Sequence, residues 1–117
     1  MAREAAFQPM GQTYKANVTT SSQQITMTAT APCSQLCVSN HQPTGGTGQP
    51  VYFRISTSSS DTVTVPANGS PQYCLVSVPG TIKVFTMPAQ VSSTTNMYVT
   101  FIGEAASECY FTPGEGI

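Results

Sequence analysis

Four cysteines, Cys33, Cys37, Cys74 and Cys109, and a single histidine, His41, are the side chains in this 117-residue chain best suited to metal or nucleophilic chemistry. Structural zinc sites draw their ligands from two close pairs. Here Cys33 and Cys37 are four residues apart, but Cys74 and Cys109 are separated by 35, and His41 stands alone four residues beyond Cys37. A nucleophile needs a base beside it and a third group to orient that base. His41 lies in HQPTGGTGQP with no carboxylate close in sequence, and Ser58, Ser59 and Ser60 lie in the polar run STSSSD without the G-x-S-x-G elbow. Glu104 and Glu108, in GEAASE, have the four-residue spacing of one face of a helical turn. A glycosidase pair would also want a cleft with aromatic platforms, whereas the chain has no Trp and its five Tyr are dispersed. Gly45, Gly46 and Gly48 are followed by neither the Gly-Lys-Ser/Thr nor the helix of a phosphate loop. The expectation is a protein with no catalytic residue, no cofactor, no metal and no small-molecule substrate.

Charge narrows the range of partners. Only 8% of residues are charged, about a third of the roughly 25% usual in soluble proteins, and the formal net charge is −1. Ser and Thr fill 30 of the 117 positions, so hydroxyls take over the solvating work of Lys and Glu. Without a basic cluster the chain cannot release counterions from a phosphate backbone, and nucleic-acid binding is not expected. No run of about 20 apolar residues suggests a membrane span. The opening MAREAAFQPMGQ lacks the apolar stretch of a secretory signal, which predicts synthesis in the cytoplasm and cysteines held as thiols. In an oxidising compartment the four would instead form two disulfides, with three possible connectivities. Near-neutrality removes like-charge repulsion between copies and suits a protein packed among its own kind.

The elements are those of an all-β domain. Period-two alternation and β-branched residues dominate, and strong helix formers are scattered. Strands are expected at 12–19, 24–30, 35–39, 51–56, 62–65, 73–78, 81–86, 96–102 and 109–112. One face of several strands reads directly as core: Ile25, Met27 and Ala29; Val51, Phe53 and Ile55; Val63 and Val65; Met97, Val99 and Phe101. Asn68-Gly69 predicts a hairpin turn and Pro79-Gly80 a type II turn. About eight short strands at this spacing predict a single antiparallel β-sandwich or jelly-roll-like barrel over 12–117. Residues 1–11 show no alternation and read as an extended amino-terminal arm, which Phe7 and Met10 would anchor either on a partner or on the domain's own core. The arm and the Gly-rich loop supply the candidate partner-binding residues: Phe7, Pro9 and Met10 in the first, His41, Gly45 and Gly46 in the second.

The second half of the chain, from Val63 through VPANGSPQYCLVSVPGTIKVFTMP and TNMYVTFIGE to YFTPGEGI, resembles small structural proteins of tailed bacteriophage virions. The resemblance is carried by the short strands separated by Val-Pro and Pro-Gly turns, and by a Tyr/Val/Thr-rich strand ending in Pro113, Gly114, Glu115 and Gly116. It implies a capsid decoration, or cement, protein that binds the outside of the major capsid protein lattice on the phage head and associates as a dimer or trimer. A head-fibre or tail component is the neighbouring expectation, and a secreted, disulfide-stapled binding module the one from a different class. Four cysteines depart from the pattern of the family.

Overall fold

In the computed structural model of the chain, residues 7–30, 32–41, 49–87 and 96–115 are described. They form nine strands: β1 (Gln8–Pro9), β2 (Tyr14–Val18), β3 (Gln23–Thr28), β4 (Gln35–His41), β5 (Val51–Ser56), β6 (Leu75–Ser77), β7 (Ile82–Thr86), β8 (Asn96–Gly103) and β9 (Ser107–Glu115). Among the described residues no helix occurs. The first sheet runs β1-β9-β4-β7, with β2 following β1 along the same edge of β9; the second runs β3-β8-β5-β6. From β2 onward the antiparallel pairs nest as β2 with β9, β3 with β8, β4 with β7 and β5 with β6. That nesting of eight strands in two sheets is the jelly roll, one of the two architectures expected from the strand spacing.

The alternation does what it promised in most strands. Met27, Val51, Phe53, Met97 and Val99 turn inward with no measurable exposure and meet Leu36 and Phe111 from the first sheet. Each such side chain contributes about 1.5–3 kcal/mol relative to leaving it in water. Phe53 holds the layers together through edge-on contacts with Phe111 at 5.6 Å and Phe85 at 5.2 Å. Cys109 is buried in this core, as its apolar setting predicts, whereas Cys74 is only half-buried. All four cysteines are free thiols.

Three expectations are corrected. Residues 62–65 are not a strand; they belong to the long β5–β6 connection, 57–74, which folds over the outer face of the second sheet. Val63 is buried there, outside the central cluster, with its N–H donating to Ser22 Oγ at 3.1 Å. The connection is pinned by Arg54, whose Nε and Nη2 grip the two carboxylate oxygens of Asp61 at 2.8 and 2.6 Å. Under this roof Thr100 and Ile102 are buried although they point away from the core. Asn68-Gly69 does form a turn, with Gly69 at φ 83°, but it closes a single bridge between Ala67 and Ser70 and not a hairpin of two strands. Glu104 and Glu108 share no helical turn: Glu104 accepts from Tyr52 Oη at 2.6 Å, and Glu108 on β9 pairs with Lys15 on β2 at 3.6 Å.

Pro79-Gly80 turns as expected, with Gly80 at φ 76°, the value the second position of a type II turn requires. It joins β6 to β7, and these lie in different sheets, so the turn is a corner of the sandwich. The stretch 7–11 lies against the domain itself over its described length. β1 pairs with the end of β9, Met10 packs against the core, and Gly11 bridges to Ala29 in the opposite sheet. Pro113-Gly114-Glu115 of the terminal motif thereby lies between β1 and β4. Glu115 accepts from the backbone N–H and hydroxyl of Ser34 at 2.5 and 3.0 Å.

Candidate interaction surface

A jelly roll leaves two lateral sides where its sheets end, and in this chain they are treated differently. On one side the run β1–β2 crosses between the sheets and closes the gap through the Gly11 bridge and the Thr30 N–H, which donates to the Met10 carbonyl at 2.6 Å. On the other side β6 and β7 are the two edges, and only one end of that side is closed. There Asn40 Nδ2 donates to the carbonyls of Ser77 and Gln49 at 2.9 and 3.0 Å, and the Asn40 backbone exchanges hydrogen bonds with Gly80 and Thr81.

At the opposite end the sandwich stays open because β6 is too short. It opposes Val51, Tyr52 and Phe53, and the rest of β5 has no β6 partner. A cleft of about 260 Å³ results, lined by Phe53, Arg54 and Ile55 of β5, by Tyr73 and Cys74 just before β6, by Leu75 at its start, and by Thr86 of β7. Arg54 Nη1 donates to the Tyr73 carbonyl at 3.1 Å and fixes the approach to β6. Burial raises the Cys74 thiol's pKa, an effect the nearby Arg54 charge opposes.

The exposed large apolar side chains follow the stretch that runs from this cleft to the closed end. Tyr73 is 86% exposed, Leu75 41%, Val76 45%, Val78 50% and Ile82 72%. These are all the exposed large hydrophobic side chains among the described residues, and all fall within 73–82, a stretch without one charged residue. They follow one another along the β6 and β7 edges without sharing a face: Leu75 lies opposite core-facing Phe53, Val76 opposite Tyr52 on the outer face of the second sheet, and Ile82, next to Lys83 opposite Val38, on the outer face of the first. The adjoining β7 edge differs: Lys83 is exposed there opposite Val38, a buried core position, so a cation guards that edge.

No protein-family model, curated protein or solved structure matches this chain. Its function has to be read from the surface itself.

The residues proposed from sequence as partner contacts fall elsewhere. Phe7, Pro9 and Met10 gather at the β1 end of the first sheet, beside a groove of about 500 Å³ bordered by Gln12, Tyr14 and Thr28. Phe7 and Met10 are half-buried and Pro9 is exposed. The backbone of His41 ends β4 opposite Glu108, at the far end of β9 from Gly114, about 20 Å along the strand. Its side chain, Gly45 and Gly46 lie outside the described residues. The arm and His41 are therefore not brought together. Tyr73, Leu75, Val76, Val78 and Ile82 fall in the strands expected at 73–78 and 81–86, for which no core face is assigned from sequence. A signal was available in Pro71 and Pro79, because prolines bracketing a short strand mark a sheet edge.

Among the described residues no group of three His, Cys, Asp or Glu is placed to hold a metal ion.

Proposed function

We propose that this chain is a non-enzymatic structural protein of a tailed-phage virion, a capsid decoration protein that binds the outer surface of the major capsid protein lattice and stabilises the head. The observation that carries the reading is the confinement of all exposed large apolar side chains among the described residues to one open side of a charge-poor jelly roll. Such a side is suited to permanent contact with protein. The sequence resemblance over the second half supplies the identity of the partner, and the jelly roll, an architecture that recurs in viral capsid and lectin domains, agrees with it by analogy of fold. A domain that touches neighbouring subunits stabilises a shell because it binds the assembled state and not the separate subunits, and a lattice multiplies weak contacts.

The test is co-sedimentation of purified protein with phage heads lacking it, followed by heating of the loaded heads. Saturable binding with increased resistance to heat supports decoration. Absence of binding overturns it and turns attention to a head-fibre or tail location or to a secreted module.

A further inference from the structure

We propose that the groove between the β1–β2 crossing and the end of β3 is a binding site for a neutral saccharide, held by hydroxyl and amide side chains. The inference is independent of the head-binding reading, which concerns the opposite lateral side.

The groove encloses about 500 Å³, within the range of small-molecule sites. Its walls are two chain segments tied to each other. Thr28 N–H donates to Tyr14 Oη at 3.1 Å, the N–H and hydroxyl of Thr30 both donate to the Met10 carbonyl at 2.6 and 3.0 Å, and Gly11 bridges to Ala29. A Cβ on Gly11 would come 2.8 Å from the Thr28 carbonyl oxygen, so this approach of wall to wall needs glycine. A site assembled before the ligand arrives loses little to ordering on binding.

The same ties select the ligand. An added peptide strand needs free main-chain N–H groups, and at Thr28 and Thr30 these are already engaged by Tyr14 and Met10. What the groove offers instead is side-chain polarity. Tyr14 Oη accepts from Thr28 and keeps its own proton to donate, the Thr30 hydroxyl donates to Met10 and keeps lone pairs to accept, and the exposed Gln12 amide does both.

None of the described residues lining the groove is charged. An anion would meet no cation there and a cation no carboxylate, whereas a wholly apolar ligand would strip water from these polar groups and replace none of it. Sugar hydroxyls both donate and accept, and the apolar C–H face of a sugar ring suits Pro9 and Met10 beside them. With no Asp or Glu among these residues, the sugar is bound and not cleaved.

The experiment is an NMR titration of the isotope-labelled full chain with maltotriose, cellotriose and triacetylchitotriose, each to about 20 mM, a range that resolves millimolar dissociation constants, with sialyllactose as the acidic control. At least one neutral sugar is expected to give saturable shifts confined to the amides of 10–14 and 28–30. Gln12→Ala, at an exposed position that ties nothing in the fold, should weaken binding at least about fivefold, and Tyr14→Phe should do the same. Should Tyr14→Phe disturb Thr28, Gln12→Ala alone makes the test. Raising NaCl from about 0.05 to 0.5 M should leave the affinity unchanged. The absence of a saturable shift with every neutral sugar overturns the proposal, as do shifts outside the groove, binding confined to sialyllactose, or an affinity indifferent to both substitutions. A chain that binds heads but no sugar would remove the saccharide site and leave the decoration reading standing; one that binds sugar through Gln12 but no heads would do the reverse.

Discussion

Burial of a thiol ties the stability of this protein to pH. Cys109 is fully buried, and loss of water around it pushes its pKa from 9.0 up to about 12, against smaller opposing effects of hydrogen bonds from the Ser77 side chain and the Tyr110 backbone. The folded state thus holds the proton more tightly than the unfolded chain does. The stabilisation is complete below pH 9 and is lost as pH rises toward 12. Tyr52, raised to about 12 chiefly by its hydrogen bond to Glu104, adds a smaller effect from pH 10 upward because its surroundings are wet. Thermal unfolding should become steeply pH-dependent above pH 9, and Cys109→Ala should flatten that slope more than Tyr52→Phe. Equal slopes in wild type and Cys109→Ala would contradict the assignment.

Arg54 and Asp61 act at the same scale. The forked pair is mostly buried, with side-chain exposures of 29% and 20%, and Arg54 also donates to the carbonyls of Tyr73 and Thr62. One guanidinium thereby ties both ends of the β5–β6 connection to the second sheet. Asp61→Asn should cost about 1–2 kcal/mol in denaturant unfolding. It should also speed proteolysis within 57–74, where Val63 loses its cover. Arg54→Lys should behave like Asp61→Asn, because an ammonium cannot fork.

At the scale of the element, Gly114 decides whether β1 can lie on β9. A Cβ there would run into the Gln8 carbonyl oxygen and the Phe7 ring at Cζ. The backbone oxygen cannot swing aside as a side-chain tip can, so Gly114→Ala should displace β1. The expected result is faster hydrogen exchange at 8–11 and a lower melting temperature, with the exchange of β5 and β8 unchanged. Unchanged exchange at 8–11 would show that the strand accommodates the methyl group.

This dependence on a partner strand explains what was legible beforehand. β5 and β8 could be located because alternation such as Val51, Phe53, Ile55 needs only one buried face to declare itself. β1 could not, since two residues carry no period and Gln8–Pro9 is a strand only by virtue of β9. Residues 62–65 alternate like a core strand, yet Val63 is buried on the outer face by a loop, and alternation does not say which layer does the covering. The candidate contact surface was hidden for the same reason. Leu75 and Val76 look like interior residues until the topology leaves β6 at an edge with both faces exposed.

Over the whole molecule the scarcity of charge determines how the protein responds to its solvent. Two ion pairs join the described residues; the pair of exposed Lys15 with half-buried Glu108 contributes little, and Arg54–Asp61 is shielded from screening by burial. Cohesion rests on the apolar layer between the sheets and on backbone ladders, neither of which responds to dilute sodium chloride. The melting temperature should therefore shift by less than about 2 °C between roughly 0.05 and 0.5 M NaCl, while sodium sulfate, which strengthens apolar burial, should raise it.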